Sequence, residues 1–342
     1  MNPRISPSLA ILLLLLAPAA PAADPVVVRL ATILPRDVGQ DLILTQLAQD
    51  WKNASGGAVI LRRAPGGQTD GEAGIVKKLR SGNYQAALLT AVGLGEIDPD
   101  ASVLQNLPLT FHNWAEVDFI RDRLRHGLEA RLAAKGFVVL CWGDAGWVKF
   151  FSRRPGLTPD DFRRMKLFTW AGDEPHIEVM KRLRFQPVAL ETENIHTGFA
   201  AGMIDAAPVP PVFALGGQIH TVASHVLDMN WVPIIGALVI RRDAWESIPA
   251  ATRTRLMALC ETTGAAFRTE GRRFDDDAMT VLRRGPRTTV HGLSPAQRAE
   301  WEKLSAELAP LLRDNIVPAA LYDEVQIRLK DYRAAHSAPS TE

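Results

Sequence analysis

The sequence predicts an α/β protein of two similar domains joined by one long helix. Three observations carry that prediction. Short apolar, strand-like runs alternate with amphipathic stretches through the first 146 residues, the same pattern restarts near residue 147, and a helical pattern hardly pauses between residues 247 and 284. A chain of 342 residues, 47% hydrophobic and 23% charged, is long enough for two ordinary domains and apolar enough to fold.

The first residues read as an export signal. Arg4 precedes the apolar core "LAILLLLLAP" (Leu9 to Pro18), and the small-residue run "AAPAAD" follows. The core is shorter than the roughly 20 apolar residues of a spanning helix. Residues 1–23 are therefore expected to be a cleavable signal, and the product a soluble periplasmic protein, since no cysteine follows to carry a lipid anchor. Without Arg4 the 39 Lys plus Arg become 38, equal to the 38 Asp plus Glu, so no excess charge recruits nucleic acid. The two cysteines, Cys141 and Cys260, lie in an apolar strand-like run and a helical run. An oxidising compartment permits a disulfide between them, and two buried free thiols are the plainer reading.

The elements follow in order. "VVVRLATIL" (Val26 to Leu34) is a strand, and Leu42, Leu47 and Trp51 mark a helical stripe that stops at Gly56. "AVILRRAPGG" gives a strand and turn, "EAGIVKKLRSG" a helix ending at Gly82, and "YQAALLTAVGLG" a strand with a glycine-rich exit. This βαβ order predicts a largely parallel sheet. After "KGFVVLCWGDAGWVKFFSRRP" the second unit reads as a strand "RMKLFTW", a helix "EPHIEVMKRLRF", a strand "QPVAL", a helix start capped by Thr192, and a short strand "IDAAPVPP". Asp205, before that last strand, is placed to satisfy nearby backbone N–H groups and to serve folding.

The long helix places Leu256, Leu259, Thr263, Phe267, Phe274, Ala278 and Val281 near one face, with Ser247 as a cap and Pro249 in its first turn. At 1.5 Å per residue it is a rod of about 50 Å, longer than one such domain needs, so it is expected to bridge two. Ser294, Pro295 and Gln297 form a capping-box start for a further helix.

Chemistry is not signalled. There is no G-x-S-x-G, H-E-x-x-H or P-loop. His220 and His225 are five apart, which does not align two metal ligands on a helix. The run Asp275, Asp276, Asp277 is expected to be a solvated helix face. "PGGQTDGEAG" lacks the spacing and lysine of a phosphate loop, although its polar tip could touch a ligand. No catalytic residue, metal or cofactor is therefore assigned.

The order of motifs resembles one family, the solute-binding proteins of tripartite ATP-independent periplasmic (TRAP) transporters in the DctP group. The marks are "VRLATILP", "GGQTDGEAGIVKKLRSGNYQAALLT", "VLQNLPLTF", "LTPDDFRRMKLFTW", "GFAAGMIDAAPVPP" and "WVPIIGALVIRRDAWESIP", in that order over nearly the whole mature chain. The resemblance implies a two-domain periplasmic-binding-protein fold of TRAP type with a domain-spanning helix. Its domains would be 24–146 plus 229–267, and 147–228 plus 268–335, with 336–342 a tail. It implies a protein that closes over a small organic ligand and docks on the membrane permease subunits, without catalysis. An additional helical-repeat periplasmic subunit is a further partner that some members use.

The sequence departs from the family at the ligand. Acid-binding members carry a K-[IL]-R strand whose arginine forks onto a carboxylate. "MKLFTW" places Phe168 there, Val148 aligns with a second arginine position in "GWVKFF", and Val209 with a polar one in "IDAAPVPP". Phe168 and Trp170, two apart on a strand, share a face and are expected to form an aromatic wall. Trp142, Trp147, Phe150 and Trp231 lie near other cleft-facing segments, and Gln68, Thr90 and Pro108 complete the candidate ligand-contacting set. The expected ligand has an apolar or aromatic-contacting body. The alternatives are an organic acid, with Lys149 or Lys166 restoring a charge contact, the related tricarboxylate-type binding proteins, and a secreted α/β enzyme.

Overall fold

A computed structural model describes residues 24–34, 36, 39–65, 71–171 and 173–336. The expected export signal and Gln68 lie outside the described residues. The first part of the chain folds as β1 (Val26–Ala31), α1 (Gln40–Ala54), β2 (Val59–Arg63), α2 (Gly71–Arg80), β3 (Ala86–Thr90), α3 (Ala91–Ile97), α4 (Trp114–Ala134) and β4 (Phe137–Trp147). The next part is β5 (Lys149–Ser152), α5 (Pro159–Arg163), β6 (Lys166–Trp170), α6 (Glu174–Arg182), β7 (Gln186–Leu190), α7 (Ile195–Ala200), β8 (Ala206–Val209), α8 (Pro211–Gly216) and β9 (His225–Leu227). The remainder is β10 (Pro233–Arg241), α9 (Arg242–Glu246), α10 (Ala250–Arg284), β11 (Thr289–His291), α11 (Pro295–Leu312) and α12 (Ala319–His336).

The strands form two sheets, a five-stranded one ordered β2-β1-β3-β10-β4 and a six-stranded one ordered β11-β9-β5-β8-β6-β7. β1 runs parallel to β2 and β3, as the βαβ order requires. Both sheets are nevertheless mixed, because β10 is antiparallel to β3 and β4 and β5 is antiparallel to β8 and β9. The cause is connectivity: β4 leaves the first sheet to become β5, and β9 returns as β10 running against it. The two crossing segments are bonded to each other, Val148 N–H to the Val232 carbonyl at 2.9 Å and Trp231 N–H to the Val148 carbonyl at 3.1 Å.

The long helix serves both sheets. Leu256, Cys260 and Phe267 of α10 lie in the core under the five-stranded sheet, whereas Met279 and Leu282 lie in a core of the six-stranded one. Its buried stripe also contains Gly264, Gly271 and Asp275. Two expectations fail here. Val281 is 55% exposed, and Asp275 is buried while only Asp276 and Asp277 of its run face solvent. Ser247 does not cap α10, since its hydroxyl donates to the Ala244 carbonyl at 2.8 Å and closes α9. Thr192 likewise opens a short 3₁₀ turn and makes no side-chain cap. The Ser294–Gln297 capping box forms as expected, Gln297 N–H to Ser294 Oγ at 3.3 Å and Ser294 N–H to Gln297 Oε1 at 2.9 Å.

In α1, Leu44, Leu47 and Trp51 are buried, and Leu42 is 53% exposed. The residue three before Leu47 sits on the core side where the one five before does not, as a 3.6-residue period requires. α12 packs on α4 and contributes Val325 and Leu329 to the core of the five-stranded sheet. Arg333 fixes it there, with Nε to Glu116 Oε1 and Nη2 to Glu116 Oε2 both at 2.8 Å. No helix among the described residues is long and apolar enough to cross a membrane.

Candidate functional site

The parallel strands of both sheets end toward one another. After β7, Glu191 reaches the start of α2, where a Cβ on Gly71 would lie 3.4 Å from its Oε2. Gly39, before α1, sits similarly against Phe274 of α10. The carboxyl ends of strands in open α/β sheets are where such folds bind ligands, so the candidate site lies between these lips.

Phe168 and Trp170 do come together, their rings 5.3 Å apart and edge-on. Phe168 is 1% exposed and shares a cluster with Val209, Phe151 and Phe199, while Trp170 is only partly buried at the strand end. Burial of that one phenylalanine contributes roughly 1.5–3 kcal/mol. Phe150 is not part of this group. It packs on another core with Phe162, Trp231 and Trp301, with ring separations of 4.6, 5.3 and 5.5 Å. Val148 sits in the strand crossing with Val232 and Ile234. Trp147 packs against Trp114 with the rings 4.9 Å apart and tilted by 45°, and the Arg272 guanidinium lies 4.4 Å from the Trp114 ring. Trp142 donates to Glu129 at 3.0 Å.

Thr90 and Pro108 are occupied by the fold. The Thr90 hydroxyl donates to Glu72 Oε2 at 2.6 Å, and Glu72 also accepts from the N–H groups of Thr90 and Gly93 at 2.6 and 2.8 Å. Burial raises the Glu72 pKa despite these bonds. Pro108 is buried, and Leu109 beside it donates to the Trp231 carbonyl at 2.8 Å.

The two lysines that could restore a charge contact are committed elsewhere. Lys149 is buried and holds Asp228 at 2.7 Å and Asn230 at 3.0 Å. Lys166 lies at the opposite end of β6, its ammonium on the Gly202 carbonyl. Asp205 acts as expected, accepting the Lys166 N–H at 3.0 Å and tying β8 to β6.

The sequence reading missed the joint beside the site. Asp275 accepts N–H groups from Trp147 at 3.0 Å and Val212 at 3.2 Å, and burial pushes its pKa up to about 7. One turn earlier Arg272 binds Asp144 and Asp118, and Arg121 reaches Asp144 at 2.7 Å. Asp144 is buried, and its pKa is raised because burial outweighs both arginines. The available signal was spacing: 264, 267, 271, 275 and 278 follow the same helical stripe.

Two facing sheets, bonded crossing strands and a shared helix define a class, the two-domain binding protein that holds a solute between its halves. Residues 30–312 match the family described as bacterial extracellular solute-binding protein, family 7 (DctP), and the chain belongs to that family. Proteins of this family are periplasmic transport components and not enzymes. Over 292 residues the chain is 22% identical to the C4-dicarboxylate-binding periplasmic protein DctP of Rhodobacter capsulatus, covering 84% of this chain and 87% of that one. The fold is similar to the sugar acid binding protein of Advenella mimigardefordensis in complex with galactonate (TM-score 0.82, 17% identity, 90% of this chain and 99% of that one). It is also similar to a TRAP periplasmic solute binding protein of Sulfurospirillum deleyianum with bound succinate (TM-score 0.79, 19% identity, 88% and 98%).

Proposed function

We propose that this protein captures a small organic ligand with an apolar body between its two sheets and delivers it to the membrane subunits of a TRAP transporter. The observation that supports this reading is that Phe168 and Val209, at positions where the family resemblance expects an arginine and a polar side chain, are apolar and buried in one core, with Trp170 partly buried beside them at the end of β6. Trp170 is the member exposed to a ligand, and Phe168 backs it. Lys149, opposite Val209 at the end of β8, is buried and held by Asp228, and Lys166 lies at the other end of β6 on the Gly202 carbonyl, so neither is free to replace the missing fork.

The hinge of this reading is the crossing at 147–149 and 228–232 together with the turn of α10 from Gly271 to Asp275. The domains would be 24–146 plus 229–267, and 147–228 plus 268–335, except that the packing of α12 on α4 favours assigning that helix to the first domain and not, as expected from the sequence, to the second. Residues 1–23 would direct export, and a helical-repeat periplasmic subunit would be a further partner. A second reading, an organic-acid binder, is favoured by the acids named with the relatives above. The test combines native mass spectrometry of protein from its own host, to identify a carried ligand, with small-angle scattering. The proposal expects compaction when the identified ligand is added to stripped protein. Tight binding with an unchanged scattering curve contradicts closure.

A further inference from the structure

We propose that His225 and His291 form a pH-sensitive clasp that fastens the edge strand β11 to β9 beside the hinge and releases it in acid. The clasp is independent of which ligand the cleft takes.

The pairing follows from register. β11 runs parallel to β9 with Thr289 opposite His225 and His291 opposite Leu227, so the two imidazoles project from the same face of the sheet. His225 Nδ1 lies 3.0 Å from His291 Nε2, and the rings are inclined by 23° with their centroids 5.3 Å apart. The two nitrogens therefore meet head-on between nearly coplanar rings, and one proton fits between them. A neutral pair, or a pair with one positive charge, keeps an N–H···N bond. A pair with two positive charges sets two N–H groups against each other with no acceptor between them.

The surroundings oppose that second proton. Burial and the neighbouring His291 hold the His225 pKa below its ordinary 6.5. On β5 the residue opposite His225 is Ser152, whose hydroxyl donates to the Arg154 carbonyl at 2.7 Å. The charged groups on adjoining elements are Arg153 and Arg154 after β5, Arg284 and Arg287 between α10 and β11, and Arg298 and Glu300 near the start of α11. Five of these six are cations. Asp228, at the exit of β9, is already held by Lys149 at 2.7 Å and Arg283 at 2.5 Å. With the folded pKa below 6.5, the stabilisation is full above that value and is lost as pH falls below it.

The clasp holds a short strand that touches the hinge. β11 has three residues, forms an edge of the six-stranded sheet and links α10 to α11. The Thr289 N–H donates to the Ser224 carbonyl and the Asp228 N–H to the His291 carbonyl, both at 2.8 Å. Asp228 opens the crossing segment 228–232, so release of β11 takes a backbone partner from the hinge itself.

The experiment measures amide hydrogen exchange of the mature chain by mass spectrometry at about pH 7.5 and about pH 5, corrected for intrinsic rates, in the wild type and in the double variant His225→Gln, His291→Gln. We expect wild-type protection at Ser224–Asp228 and Thr289–His291 to fall about tenfold more than that of β1 at the lower pH. The double variant should show no such segmental loss, because glutamine keeps a donor and an acceptor and does not titrate. Imidazole resonances of the pair, assigned through the single variants, should titrate in two coupled steps. An equal segmental loss in the double variant, no segmental loss in the wild type, or independent titration of the two rings overturns the clasp. If the variants do not fold, the wild-type exchange decides alone by the same outcome.

Discussion

The Asp275 carboxylate accepts the Trp147 backbone N–H at 3.0 Å, which joins the long helix to the strand that passes from one sheet to the other. Gly146 makes the approach possible. Its φ is +106°, and a Cβ there would lie 2.2 Å from the Asp275 carboxyl carbon. The same carboxylate takes the Val212 N–H of α8, so one side chain holds three elements.

Removing that acceptor leaves two N–H groups without it in a buried setting. Asp275→Ala is expected to cost about 1–3 kcal/mol of unfolding free energy in urea titrations. The pH dependence has a definite sign. A carboxyl raised to about 7 when folded, against 3.8 as the reference value, binds its proton more tightly in the folded state. Its contribution is full below the reference value and is lost as pH rises through about 7. The stability of the wild type relative to Asp275→Asn should therefore increase as pH is lowered from 7 toward 4. A flat difference between the two would contradict the assignment.

Phe168 and Trp170 should separate stability from binding. Phe168→Ala removes a fully buried ring and is expected to lower unfolding free energy by about 3–5 kcal/mol with no ligand present. Trp170→Ala, at a partly exposed position, should cost less stability and weaken the native ligand by about 1–3 kcal/mol. Paired melting curves and calorimetric titrations check this. Equal stability loss in both variants, with binding intact in Trp170→Ala, places the wall away from the ligand.

The thiols give a simpler check. Cys141 and Cys260 are free and buried in one core, and burial pushes the Cys260 thiol up to about 12 and raises Cys141 as well. The thiolate is the reactive form. Both should resist an aromatic disulfide reagent in native buffer and react once denatured, giving two thiols per chain by absorbance. Rapid native labelling, or no thiols after denaturation, contradicts this.

Much of this architecture was legible in the sequence. The strand–helix alternation, the bridging helix and the capping box at Ser294 depend on local pattern, and those elements formed. What was not legible depends on chain return and on sheet faces. Nothing local in "PIIGALVIR" says that β10 inserts between β3 and β4. Likewise nothing local says that Phe150 and Phe168, each on a strand, pack in separate cores. Asp275 was misread for another reason: its neighbours Asp276 and Asp277 are solvated, and composition concealed a stripe that the spacing from Gly264 to Ala278 shows.

The central claim is that this cleft has exchanged a carboxylate fork for an apolar wall. Calorimetric titration of the ligand-free wild type and Phe168→Arg with succinate and galactonate tests it most directly. The account predicts no measurable binding of either acid by the wild type, with any gain confined to the arginine variant. Tight binding of either acid by the wild type, unchanged in Phe168→Arg, would contradict it and return Phe168 to a purely packing role.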